Sequence, residues 1–250
     1  MKKYSFIIFM LISRFLFAVH NQHLFEQGNM LYAQDKYEEA IETYKEIRAN
    51  GYESWELYYN LGNAYYKNGD LGKAILNYER AHLLESDNED IKFNLEMANL
   101  MVVDKINKPP QFFLFKIFSD LKNAMGLNTL SLIVLAAYIL LVIVIIFRIF
   151  VKKRNTQKIT LIAGVPVTLI FLIFATVLVL RIQDLNNYKY GIIIDNKVDV
   201  VSSPEGKGTE IFSLKEGVKV QAEKQVGEWL QIRLSDGKVG WVKKSAIEII

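Results

Sequence analysis

The chain has 250 residues, 51% of them hydrophobic, a net charge of +3 and no cysteine. That length accommodates two small domains beside a membrane segment, and the charge is too small and too localised to suggest a nucleic-acid partner. Without cysteine there are no disulfides, no thiol catalysis and no cysteine-ligated metal, although the compartment is not fixed by this.

Residues 1–18 open with Met1-Lys2-Lys3 and continue through the apolar run Tyr4 to Ile12. A basic start and a short apolar core are the pattern of an export signal, cleaved after Ala18 or kept as an anchor. In either form the two lysines hold the N-terminus inside and send the following residues out.

Residues 21–103 repeat with a period of 34: Gly28 recurs as Gly62, Asn29 as Asn63, Tyr32 as Tyr66, Ala40 as Ala74, and Tyr44 as Tyr78. Small residues at this spacing let two antiparallel helices approach, while aromatics fill the groove between them. The second copy, Tyr58-x-x-Leu61-Gly62-x-x-Tyr65 followed by Ala74, Tyr78 and Ala81, resembles the tetratricopeptide repeat. A third helix, Asp90 to Met101, keeps the phase through Asn94, Leu95 and Ala98, and its partner helix does not follow, as suits a capping half-repeat. The segment is acidic, with 15 Asp and Glu against 7 Lys and Arg. The resemblance implies a peptide groove formed by the first helix of each repeat, displaying Phe25, Asn29, Tyr32, Tyr59, Asn63, Tyr66, Lys67 and Asn94. The asparagines have donors and acceptors for a peptide backbone and the tyrosines offer flat apolar contact, although both are also ordinary repeat consensus.

Residues 104–123 begin with the helix-stopping Lys108-Pro109-Pro110. Phe112, Phe113, Phe115 and Phe118 then alternate loosely with charges, as an interfacial segment would, or as a surface for a partner's membrane domain. Residues 124–147 and 159–180 are uncharged throughout, and each run is long enough to cross a bilayer as a helix. Between them, residues 148–158 carry Arg148, Lys152, Lys153, Arg154 and Lys158 and no acid. Short basic loops stay cytoplasmic, so both flanking domains are expected on the outer face of the bacterial inner membrane. Neither span contains a charge, which argues for an anchor and against a channel or transporter.

Residues 188–250 change to short β-rich runs: Gly191–Ile194, Asp199–Val201, Lys219–Ala222, Trp229–Leu234 and Val239–Val242. Pro204-Glu205-Gly206, Val226-Gly227-Glu228 and Asp236-Gly237 mark turns, and the last is a strong hairpin signal. Leu214-x-Glu216-Gly217-x-x-Val220, Gly227-Glu228-Trp229 and Gly240-Trp241-Val242 together resemble the bacterial SH3-like barrel. The resemblance implies a binding module, with Trp229 and Trp241 as its candidate surface, though aromatics at such positions more often belong partly to the core. The arginine common near the start of that family is absent, Asp199-Val200-Val201 standing there.

No nucleophile motif, phosphate loop or metal-ligand spacing accompanies His20, His23 and His82, so no catalytic, cofactor or metal site is expected. The expected fold class is a multidomain membrane protein: all-α repeats, a two-helix hairpin and a small all-β barrel. The order of all five segments resembles the tetratricopeptide/SH3 membrane proteins of the Bacteroides-aerotolerance (Bat) operons. That resemblance implies a non-catalytic scaffold in an envelope complex with von Willebrand A-domain membrane proteins and, indirectly, a MoxR-type ATPase. A peptidoglycan sensor and a regulatory subunit of an envelope enzyme are the alternatives.

Overall fold

The computed structural model describes residues 19–106, 112–187, 189–204 and 208–250. The export signal, the Lys108-Pro109-Pro110 break, Tyr188 and the Glu205-Gly206 part of one turn lie outside the described residues. Helix α1 occupies residues 19–33, followed by α2 (Tyr37–Ala49), α3 (Trp55–Asn68), α4 (Leu71–Leu84) and α5 (Glu89–Met101). Then come α6 (Phe113–Ala124), α7 (Leu127–Phe150) and α8 (Arg154–Asn187). Seven strands complete the chain: β1 (Lys189–Ile193), β2 (Lys197–Val201), β3 (Glu210–Lys215), β4 (Lys219–Val226), β5 (Trp229–Arg233), β6 (Val239–Lys243) and β7 (Ile247–Ile249). These elements form two compact units, Met1–Lys108 with Tyr190–Ile250, and Pro109–Lys189.

The unit formed by Pro109–Lys189 is a helical hairpin preceded by α6. Both α7 and α8 are long and apolar enough to cross a membrane, and only 11% and 6% of their most apolar windows are buried. A core helix of a soluble protein would be mostly buried. The helices lie side by side, with Tyr138 and Phe171 rings 6.1 Å apart. Pro166 stands inside α8, and Thr168 and Thr176 return their hydroxyls to the carbonyls of Gly164 and Leu172. The connection is short, Val151–Lys153, and the Gln157 side-chain amide ties it by donating to the Val151 carbonyl at 2.8 Å. In α6, Phe112 at the cap and Phe113, Ile117 and Phe118 are exposed.

In the larger unit the helices start and stop where local chemistry directs. Ser54 Oγ accepts from the Leu57 amide, Asn88 Oδ1 accepts from Asp90 and Ile91, and Gly69 ends α3 with φ +92°. The repeat period is a packing rule. A Cβ at Gly28 would lie 2.5 Å from the Tyr44 ring, and one at Gly62 would lie 2.7 Å from the Tyr78 ring. Each glycine therefore lets a fully buried tyrosine lie on the backbone of the preceding helix.

The strands form one sheet in the order β3-β2-β6-β5-β4-β1-β7. The pairs β1–β7, β2–β3, β2–β6, β4–β5 and β5–β6 are antiparallel. The Asp236-Gly237 turn joins β5 to β6, with Gly237 at φ +93° and Asp236 Oδ1 accepting from the Lys238 amide. Gly227, φ +56°, serves between β4 and β5. Strands β3 and β7 are not among the sequence-predicted runs. The first alternates only over Phe212 and Leu214, the one partly and the other fully buried; the second is three residues long. Tyr190 is in β1, where its carbonyl accepts from the Ile250 amide.

Repeats and sheet share a single hydrophobic core. Gly217, in the turn between β3 and β4, approaches the helices so closely that a Cβ would sit 2.9 Å from both Ile75 Cδ1 and Val102 Cγ2. Its φ of +87° suits only glycine at low cost. Beside it Glu216 accepts a 2.9 Å hydrogen bond from the Gly72 amide, in the first turn of α4. The residue preceding α4, Asp70, makes no side-chain cap bond, so the sheet supplies the missing acceptor and a negative charge at the positive helix end. Lys219 pairs with Glu79 at 2.7 Å, Arg80 donates to Glu248 at 3.0 Å and to the Ile249 carbonyl at 2.6 Å, and Asp104 accepts from the Lys215 amide at 2.6 Å.

At Gly72 a Cβ would meet the Ile193 carbonyl oxygen at 2.7 Å. The Gly72→Ala variant is expected to lose about 1–3 kcal/mol and to unfold at a lower temperature. Because one core serves both parts, the repeats' share of the helical signal at 222 nm and the near-ultraviolet tryptophan signal should fall in one transition, while the hairpin keeps its own helical signal. A sheet that melts apart from the helices would contradict that shared core.

Candidate functional site: the outer face of the first repeat helices

The surface predicted to bind a partner is built from α1, α3 and α5. These helices are joined side by side through a hydrogen-bonded unit that repeats every 34 residues. Asn29 Oδ1 accepts from Tyr44 Oη at 2.7 Å and from Asn60 Nδ2 at 2.9 Å. One period later Asn63 Oδ1 accepts from Tyr78 Oη at 2.7 Å and from Asn94 Nδ2 at 2.9 Å. Asn94 Nδ2 also donates to Tyr59 Oη at 3.0 Å. Each asparagine thus bridges a buried tyrosine of the paired helix and the next repeat.

All eight predicted groove residues lie on these three helices. Lys67 is exposed; the other seven are partly buried. Phe25 leans on the Tyr44 ring at 6.1 Å, Tyr59 on Tyr78 at 6.1 Å, and Tyr32 meets Tyr37 edge-on at 5.4 Å. The asparagines have less to offer a ligand than their chemistry suggests. The carbonyls of Asn29 and Asn63 already take two bonds each, and both Asn94 amide hydrogens are used. Among the described residues, the amides of Asn29 and Asn63 and the carbonyl of Asn94 remain for a peptide.

Sequence reasoning missed four residues of this face. Tyr59, Asn63, Tyr66 and Lys67 recur one period later as Phe93, Met97, Leu100 and Met101. These are 43–63% exposed, and Tyr66 Oη lies 3.1 Å from Met101 Sδ. The signal was present in the repeat phase; Asn94 alone was carried over from that helix. The sheet, by contrast, packs on α4 and on the chain after α5, through Glu79, Arg80, Val102 and Asp104. None of these is on the candidate face.

On the sheet, Trp241 pairs with Gln231 and Trp229 with Lys243. Cross-strand partners point to the same side. The two tryptophans therefore share the face opposite buried Leu230, Ile232 and Val242, and both are partly buried. Among the described residues no cluster of three or more His, Asp or Glu is arranged to hold a metal ion.

The site's electrostatics are those of buried phenols. Burial raises Tyr44 and Tyr78 far above the ordinary value, and burial followed by the nearby Glu248 carboxylate pushes Tyr65 up to about 12.

A tetratricopeptide repeat family model matches residues 22–90, which covers both repeats and reaches the first turn of α5. Residues 22–90 are thus similar to tetratricopeptide repeats, which suggests a protein-interaction module in this part of the chain. No curated protein matches the chain.

Two predictions follow from the buried bonds. Asn63→Ala leaves Tyr78 Oη without its acceptor and should cost about 1–3 kcal/mol, whereas Lys67→Ala should leave stability unchanged in thermal melts. Unfolded tyrosines ionise near pH 10 and the folded ones later, so their contribution is intact below about pH 10 and is lost as pH rises through the folded values. Tyrosinate absorbance at 295 nm should therefore rise together with loss of helix, and Tyr78→Phe should shallow the loss of stability above pH 10.

Proposed function

We propose that the chain is a non-catalytic membrane adaptor that presents its repeats and its sheet, as one body, on the outer face of the inner membrane. The observation that carries this reading is that a single packed core is assembled from residues on both sides of the α7–α8 hairpin. If both helices cross the bilayer, their number is even, and the two halves of the core meet without either passing the membrane. The cations Arg148, Lys152, Lys153, Arg154 and Lys158, clustered at the turn, favour a cytoplasmic turn and outer flanks. The first eighteen residues, read as an export signal, agree with that direction.

The partners are proteins, engaged through the face of α1, α3 and α5. Resemblance in the order of segments supports a Bat-type envelope complex, with von Willebrand A-domain membrane proteins as direct partners and a MoxR-type ATPase reached indirectly. The sheet is read as an SH3-like barrel. Trp229 and Trp241, on one side of the β5–β6 ladder, favour a second reading, in which that face binds peptidoglycan; retention of the full chain on isolated sacculi, lost in Trp241→Ala, would support it over the adaptor role alone.

Topology is testable directly because the chain has no cysteine of its own. Ala33→Cys and Ser245→Cys, both at exposed positions, should react with a membrane-impermeant maleimide in intact spheroplasts, and Asn155→Cys only after lysis. Labelling of Asn155→Cys alone would place both modules in the cytoplasm and defeat the proposal.

A further inference from the structure

We propose that α6 lies along the bilayer surface beside the hairpin, with Phe113, Ile117 and Phe118 dipped into the boundary between headgroups and acyl chains. The inference rests on the reading that α7 and α8 cross a membrane, and adds a third contact with lipid that does not cross. It holds whichever leaflet the hairpin starts from.

The backbone puts α6 at the edge of the membrane. It ends at Ala124, three residues before α7 begins at Leu127, a reach of at most about 11 Å. Wherever α7 enters the hydrocarbon, the lipid surface is therefore within reach of α6. Met125 (φ −126°, ψ 143°) and Gly126 (φ −68°, ψ 159°) are extended, so α6 does not run on into α7 and the chain turns between them. Nor is α6 a third span. Its 12 residues make about 18 Å of helix against a hydrocarbon core of about 30 Å.

The side chains of α6 are sorted for an interface. Phe113, Ile117 and Leu121, four residues apart, form an apolar strip with Phe118 at its side. Lys116 and Asp120, each one residue earlier and so about 100° round the helix, form a parallel polar strip that is exposed. Phe113, Ile117 and Phe118 are 61%, 56% and 44% exposed even though α6 touches α8, so the hairpin leaves the apolar strip open. A short helix with large apolar residues on one side and charges on another is the form that rests in a membrane surface. The bilayer is the occupant to expect here, because it already surrounds the start of α7, and a partner protein or a second copy would have to displace it. Lys116, Asp120 and Lys122 give α6 a net charge of only +1, too little for anionic headgroups to hold it. Apolar burial carries the contact, so lipid is required and its charge is not.

The test uses the full chain, which has no cysteine of its own, in phosphatidylcholine nanodiscs with one nitroxide-labelled cysteine at a time. Power saturation compares collisions with oxygen, which concentrates in hydrocarbon, against collisions with a water-soluble nickel chelate. Ile139→Cys, at an exposed position within α7, reports on the span itself. The oxygen-to-nickel ratio should be several-fold higher at Ile117→Cys and Phe118→Cys than at Lys116→Cys and Asp120→Cys. That pattern should persist when phosphatidylglycerol is added. Phe113→Ser with Phe118→Ser should lower the ratio at Ile117→Cys several-fold and leave Ile139→Cys unchanged. If all four α6 sites favour nickel while Ile139→Cys favours oxygen, the hairpin reading stands and this inference fails. Shielding of Ile117→Cys and Phe118→Cys from both reagents would mean that protein covers the strip, and it also overturns the inference. A pattern that appears only with phosphatidylglycerol defeats the apolar account. If Ile139→Cys itself favours nickel, the hairpin reading fails and takes the inference with it.

Discussion

Helix α4 directs Ala74 and Tyr78 into the repeats and Gly72, Ile75, Glu79 and Arg80 toward the sheet, and the larger unit depends on that double burial. A two-and-a-half-repeat array is short for its class, because each repeat leaves an apolar side that the next must cover. Here α5 covers one part, and the sheet covers another through Gly217 and Glu216. Burial of Ile75 and Val102 against the β3–β4 turn is the apolar part of that contact. The ion pairs Glu79–Lys219 and Arg80–Glu248 are polar restraints on it; partly buried pairs gain little over apolar replacements but cost much when one partner is removed. They fix how the sheet sits more than how firmly it is held.

The same arrangement keeps the interaction face open. Because the sheet takes the α4 side, the surface of α1, α3 and α5 stays uncovered within this unit. The asparagine–tyrosine bonds stiffen that surface by linking neighbouring repeats through groups that would otherwise need water. A ligand bound there, as proposed, would meet a surface whose polar geometry is already set.

Much of this was legible from sequence because its signals are local or periodic. The 34-residue spacing places Gly28 under Tyr44 and Gly62 under Tyr78 without reference to the rest of the chain, and Asp236-Gly237 defines its hairpin within four residues. Two uncharged runs long enough to cross a membrane are visible from composition, and both are helical. What stayed hidden depends on distant partners. Glu79 and Arg80 look like ordinary solvated helix residues until Lys219 and Glu248 arrive from about 140 and 168 residues away. Gly72 resembles a weak helix position until the Ile193 carbonyl is placed against it. The groove asparagines were read as free because their tyrosine partners, fifteen residues on, were assigned to packing alone. Strand β3 was hidden for a different reason: only Phe212 and Leu214 alternate toward the core, too short a pattern to stand out.

The order of these segments also constrains how the unit forms. The repeats precede the hairpin and the sheet follows it, so contacts such as Gly72–Glu216 close a loop of 144 residues that contains both apolar helices. Loop closure of that length is entropically costly before the contact is made and slow to find. During synthesis the repeats therefore exist first without their cover, with Ile75 and Val102 exposed, and the hairpin must be placed before the sheet can reach them. A hairpin with a three-residue connection returns the chain to the side it left, which keeps the two halves of the core within reach of each other. The membrane segment in this reading is more than a tether. If both helices cross a bilayer, as proposed, the even number of crossings is the geometric condition for a core split across them to close.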